Sequence, residues 1–306
     1  MDFFILIVGL ALLILGSEGI IRGSVSLAKQ LQISLFVIGV VFVAAGTSLP
    51  ELANCVHSVI MQHSDIAVGA VVGSNIANII LIMAATTLLC PVVLITRNQI
   101  NQSVINIIIA LSFVIYSWLS LSFNLIFGIF ALILLIVIMT YQIKTDQISL
   151  NEVEEQQTYS LFIAILLIIG GIILLILGSR FFIQSAIKIA QNFHIPESII
   201  GVSLVAFGTS LPELVVGIFS AIRRRVDFAL GNVLGSNIYN ILGILGVSSF
   251  FGKFNIPDLI ASYDMYVMVG TIIFISLFMI FVKKLNRIFG ILGLATYIVY
   301  IYSLYV

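Results

Sequence analysis

Residues 46–51 read GTSLPE, and residues 208–213 read GTSLPE again. Each copy lies inside a long apolar run, and each sets a glutamate directly behind a helix-breaking proline. The repetition extends outward from the two phrases. Shifting the chain by 162 residues aligns 11–83 with 173–245 without a gap, and 34 of those 73 positions are identical. LLILGS at 12–17 returns at 174–179, and GSNIAN at 73–78 returns as GSNIYN at 235–240. The chain carries an internal duplication.

Composition sets the solvent in which that duplication folds. Of 306 residues, 61% are hydrophobic and only 8% charged, with a mean hydropathy of +1.25. A soluble domain carries about 25% charged residues; this chain cannot cover a water-facing surface with so few. Apolar runs long enough to cross a bilayer, about 18 residues or more, recur along its length. The expected fold class is an all-α polytopic membrane protein. Its ten transmembrane helices fall near 3–21, 33–61, 66–90, 102–120, 124–142, 160–178, 196–222, 228–250, 265–283 and 288–305. The opening MDFFILIVGLALLILG has no basic n-region and no small-residue cleavage site, so it reads as a retained span.

The organisation follows: a first five-helix repeat over 1–142, a polar linker over 143–159, and a second five-helix repeat over 160–306. An odd number of crossings per half makes the second copy enter from the opposite side. The halves are therefore inverted, with broken helices at the midplane, an architecture shared by many secondary transporters. Ten of the 13 Lys and Arg residues fall in loops on the side of the 143–159 linker. The positive-inside rule places that linker in the cytoplasm of a cell (plasma or inner) membrane, with both termini outside. Net charge is zero, and no nucleic-acid partner is expected; the surrounding partner is the lipid bilayer. Cys55 and Cys90 sit in apolar runs and read as free thiols.

The two motifs carry the chemistry. Pro50 has no N–H for the carbonyl of Gly46, and its ring crowds that carbonyl. At membrane depth the freed oxygen must meet protein, water or an ion. Thr47 and Glu51, spaced i, i+4, share a helical face, with Ser48 one step round. Thr209, Ser210, Pro212 and Glu213 repeat the pattern. The following spans add Ser74 and Asn78, then Ser236 and Asn240, again at i, i+4. Every group offers oxygen, and none is Cys or His, which is the ligand chemistry of hard cations such as calcium, sodium and magnesium. A glutamate at the bilayer centre costs about 2.5 kcal/mol or more, and two facing each other repel. One divalent cation, two monovalent ions or two protons would neutralise the pair.

Plainer explanations apply elsewhere. A single SLP in a span would mean only a kink, but no Lys or Arg lies in the central spans to pair with Glu51 or Glu213. For Ser74, Asn78, Ser236 and Asn240, interhelical packing rivals ion ligation. His57 reads as a packed helix residue, Arg223, Arg224 and Arg225 as a topology anchor, and Asp65 and Asp227 as helix caps. Glu18 and Arg180 occupy equivalent places with opposite charge, so the repeat does not preserve their chemistry.

With GTSLPE and GSNIxNI present twice in inverted five-span halves, the chain resembles the sodium/calcium exchanger family of the cation/calcium antiporter superfamily. The resemblance spans essentially the whole chain and suggests a minimal prokaryotic-type member. It implies that Glu51 and Glu213 are shared calcium and sodium ligands, joined by Thr47, Ser48, Thr209, Ser210, Ser74, Asn78, Ser236 and Asn240. It adds the backbone carbonyls at Ala44 and Ala206 as sodium-site positions. It also implies alternating access, with the helices near 3–21 and 160–178 sliding against the rest. Several relatives carry aspartate at the place of Asn240, which puts potassium co-transport and the sodium stoichiometry in question. The leading expectation is sodium/calcium antiport by a non-enzymatic carrier without a resident cofactor, for which a monomer suffices. Calcium/proton antiport through the same glutamates is the alternative, a cation channel stands below it, and an intramembrane enzyme is the weakest option.

Overall fold

The computed structural model describes residues 2–90, 92–119, 121–146, 159–193, 206–258 and 260–304. The linker residues 147–158 and the first part of the seventh expected span, 196–205, lie outside the described residues. Among the described residues seven helices are long and apolar enough to cross a membrane, or eight if a bent pair counts as one. Large apolar side chains such as Ile126, Phe130, Phe162, Leu166 and Phe281 stand exposed on the outside. Lipid, unlike water, is a good solvent for such a surface.

The first half begins with α1 (Asp2–Leu31), followed by the short α2 (Leu35–Ile38) and a π-helical turn over Gly39–Val43. The chain continues as α3 (Ala44–Thr47) and α4 (Leu49–Ile60). The axis bends by 43° between Leu35–Thr47 and Leu49–Ile60, at the place where Pro50 interrupts the ladder. Next come α5 (Ser64–Ala77), a π turn over Asn78–Met83, and α6 (Ala84–Leu89). The peripheral α7 (Arg97–Trp118) and α8 (Leu125–Thr145) close the half.

The second half runs α9 (Leu161–Asn192), α10 (Ala206–Thr209), α11 (Leu211–Ile222) and α12 (Val226–Ile238). A π turn over Tyr239–Ile244 leads to α13 (Leu245–Ser248), and another over Ile260–Asp264 to α14 (Met265–Val282). The last helix is α15 (Arg287–Ser303). Outside the helices, β1 (Val92–Leu94) and β2 (Lys284–Asn286) form a small antiparallel ladder that pairs Val93 with Leu285. The all-helical expectation missed it because three-residue strands carry no readable period.

Burial separates centre from edge. Within the Val226–Ser248 stack 94% of an 18-residue window is buried, against 28% for α8 and for α9. The centre forms by close backbone approach: a Cβ on Gly231 would lie 2.2 Å from the Phe36 carbonyl oxygen, and one on Gly235 2.7 Å from that of Val40. Only glycine lets α12 lie against the broken helix at that distance. The outer pair, α1 and α9, is antiparallel and also glycine-packed. Cβ atoms on Gly16 and Gly23 would lie 2.7 Å from the carbonyl oxygens of Gly171 and Ala164.

Several expectations are corrected. Both outer helices run well past the expected spans 3–21 and 160–178, because RGSVSLAKQL and its counterpart stay helical although less apolar. His57 is exposed, on the face of α4 opposite Glu51 and Cys55, and is not packed. Asp65 and Asp227 lie in first helical turns, but His63 and Arg225 hold the N-cap positions. Asp227 instead accepts a hydrogen bond from Gln99 Nε2 at 2.7 Å. Cys55 and Cys90 are free, as expected.

Candidate ion-binding site

Both glutamates sit in the first turn of the helix that follows a break, Glu51 in α4 and Glu213 in α11. Each is only 2% exposed. Each lies against the other half's hydroxyls. Ser48 Oγ donates to Glu213 Oε1 at 3.2 Å, with Thr47 also in reach of that carboxylate. The Ser210 and Thr209 side chains lie within reach of the Glu51 carboxylate. The two breaks therefore interlock, and the carboxylates lie close enough to repel one another. Among the described residues neither is ion-paired, and no three His, Cys, Asp or Glu side chains gather to hold a metal.

The neighbouring residues complete a shell of oxygen. Ser210 Oγ lies 3.3 Å from Ser74 Oγ. Thr47 Oγ1 lies 3.2 Å from the Val43 carbonyl oxygen and from Asn232 Oδ1. Asn78 and Asn240 are buried at the starts of the two equivalent π turns or one residue inside, a geometry that occurs often at functional sites. The Ala44 carbonyl accepts from Ser48 N at 3.1 Å and lies 3.4 Å from Thr47 Oγ1. Ala206 opens α10 in the equivalent place, and Thr209 is half-buried at the break. The carbonyl freed by Pro212, that of Gly208, is taken by Ser179 Oγ of α9 at 2.9 Å.

Among the described residues six buried side-chain oxygens have no partner; Ser24 Oγ lies on α1, and the other five are Glu51 Oε2, Glu213 Oε2, Asn78 Oδ1, Asn240 Oδ1 and Ser236 Oγ. Each such group costs about 1–3 kcal/mol, and a charged one more, unless something satisfies it. Those five come from both halves, and all belong to the oxygen set expected from sequence. A hard cation satisfies several at once and neutralises the carboxylates. The donor set therefore fits calcium or sodium as cargo.

The motif reading missed Asn75, Asn232 and Asn237. All three are buried and contact site residues. Asn75 and Asn237 were legible, since both copies of GSNIxN contain them. Asn232 was not, because its counterpart in the first half is Ala70.

A buried, oxygen-lined centre between two interlocked helix breaks, inside a lipid-facing helical shell, defines a multi-pass membrane transporter and not an enzyme. The family description "Sodium/calcium exchanger protein" matches residues 1–144 and 163–306, and the chain belongs to that family. It is 36% identical to a membrane protein of Methanocaldococcus jannaschii over 97% of this chain and 96% of that one. It is 30% identical to the sodium/calcium exchanger MaX1 of Methanosarcina acetivorans, covering 99% and 98%. Among solved structures it superposes on the sodium-calcium exchanger NCX_Mj with a TM-score of 0.86 at 32% identity, covering 99% and 98%. The chain is thus a prokaryotic-type minimal member of the cation/calcium antiport class.

Proposed function

We propose that the protein exchanges sodium for calcium by alternating access, through one site shared by its two halves. The observation that carries this reading is the set of unpartnered oxygens on Glu51, Glu213, Asn78 and Asn240, drawn equally from both repeats. Calcium takes six to eight oxygen ligands. Thr47, Ser48, Ser74, Thr209, Ser210 and Ser236, with the carbonyls of Ala44 and Ala206, supply the remainder for calcium or for sodium ions replacing it. NCX_Mj, with which the fold aligns, is a sodium-calcium exchanger studied with Na+, Ca2+ and Sr2+.

The architecture of this reading is ten helices in two inverted five-helix halves, 1–142 and 160–306. The shorter apolar helices Leu211–Ile222 and Arg287–Ser303 belong to spans of the second half. The 143–159 linker is cytoplasmic and both termini lie outside. The pair α1 and α9, joined by small residues, slides over the site. The site draws on both halves of one chain, so a monomer suffices. Two carboxylates with Asn240 between the helices leave no third acid, and potassium is not required.

The test is uptake of radioactive calcium into proteoliposomes loaded with sodium and diluted into sodium-free buffer, beside an arm driven by a pH gradient alone. Sodium-driven uptake is the expected result. Uptake only in the pH arm would replace this reading with calcium/proton antiport through the same glutamates.

A further inference from the structure

An amide is an ambiguous cation ligand. Its oxygen binds a cation and its NH2 repels one, whereas a carboxylate presents oxygen either way round. Asn78 and Asn240 serve the site only if something holds them oxygen-inward. The structure supplies that something symmetrically. Asn240 Nδ2 donates to Asn75 Oδ1 at 3.3 Å, and Asn78 Nδ2 donates to Asn237 Oδ1 at 2.9 Å. In each pair the site asparagine keeps its own Oδ1 without a partner. Asn75 and Asn237 occupy equivalent places, and each serves the opposite half.

Asn75 is itself oriented. Its Nδ2 donates to Met268 Sδ of α14 at 3.6 Å. A thioether accepts weakly and donates nothing. Flipping Asn75 would set its oxygen against sulfur and its NH2 against the NH2 of Asn240. Asn75 and Met268 are fully buried and Asn237 is 1% exposed, so water does not relieve such a clash. The series Met268, Asn75, Asn240 has one self-consistent arrangement, and it ends with an oxygen free for the ion.

We propose that Asn75 and Asn237 are positioning residues that turn the amide oxygens of Asn240 and Asn78 into the ion site, with Met268 setting Asn75. The proposal rests on the reading of Asn78 and Asn240 as ion ligands. It also defines what the neutral Asn240 requires: an acceptor for its NH2, which an aspartate in that place would not need.

The experiment is calcium chloride titration of the purified full chain in detergent, with apparent affinity read from thermal stabilisation. Asn75→Leu is expected to weaken calcium binding ~10-fold, the scale on which partners behind a ligand act. In the Asn240→Asp background, where no orientation is needed, the same change is expected to cost less than ~3-fold, well below that scale. An equal loss in the two backgrounds means a structural role only and overturns the proposal, as does unaltered affinity in Asn75→Leu. Should Asn75→Leu not be recovered folded, Asn75→Ala and Met268→Leu read the same ratio. Wild type and Glu51→Gln are titrated alongside. No binding to wild type, or undiminished binding to Glu51→Gln, removes the site reading itself. Binding lost in Glu51→Gln but unaltered in Asn75→Leu removes only the positioning role.

Discussion

Glu51 and Glu213 are held in a low-dielectric centre without a countercharge among the described residues, each beside hydroxyls that contribute dipoles and no charge. Breaking a buried ion pair is destabilising because it strands a charge; here the charges are already stranded. Glu51→Gln and Glu213→Gln are therefore expected to abolish calcium transport in proteoliposomes. They should leave the ion-free thermal midpoint unchanged or higher, because repulsion and a desolvated charge both disappear. A lower midpoint would mean that the carboxylates do structural work. At the same scale, Glu18 joins Arg22 at 2.7 Å and Arg223 at 2.9 Å, but both arginines are more than half exposed. Such pairs contribute about 0–1 kcal/mol, so Glu18→Gln is expected to change stability by no more than that. A larger loss in denaturant unfolding would overturn this.

Helix ends and breaks carry their own energetics. After α4 the chain closes with His63 N donating to the Ser58 carbonyl and Gln62 N to that of Val59, with Gln62 at φ 62°. After α11 Arg225 and Arg224 do the same, with Arg224 at φ 57°. This is the Schellman closure, normally built with glycine; a non-glycine residue there costs roughly 1 kcal/mol. Gln62→Gly should therefore raise the unfolding midpoint in detergent, and a fall would show that the Gln62 side chain makes a compensating contact. At the breaks the halves differ. Ser179 Oγ satisfies the Gly208 carbonyl, whereas the equivalent Ser17 bonds the Ile14 carbonyl of its own helix at 2.9 Å. Ser179→Ala is expected to cost about 1–3 kcal/mol and Ser17→Ala much less, measured by chemical unfolding. Equal costs would contradict the asymmetry.

Over the whole molecule, a buried centre is wrapped by helices with lipid-facing exteriors, and the two outermost helices meet along glycines. A Cβ on Gly171 would lie 2.6 Å from the Gly16 carbonyl oxygen, and rigid backbone cannot yield there. Gly171→Leu forces α1 and α9 apart while touching no site residue. It is expected to suppress calcium uptake several-fold while calcium-induced thermal stabilisation persists. Loss of both together would place the glycine contact in folding and not in transport.

Local rules made much of this legible. Membrane class followed from apolar run lengths, the duplication from self-alignment, and the broken helices from a proline's missing N–H; all depend on neighbours in the chain. The ten candidate oxygen side chains could be named because they fall in two repeated motifs, most of them at an i, i+4 spacing that is a property of one helix. Pairings across the halves had no such signal. Ser48 meets Glu213 and Asn75 meets Asn240 over 165 residues, and only packing decides which hydroxyl faces which carboxylate. The extra length of α1 and α9 was hidden by polar residues that stay helical through contacts the sequence does not display. His57 was misplaced because a helical face is assigned by what packs against it. The sequence by itself thus determined which side chains offer oxygen to a candidate site and in what solvent they fold. The tertiary structure alone decided how the two copies interlock, and made near-identical halves differ, because each copy packs against the other and not against itself.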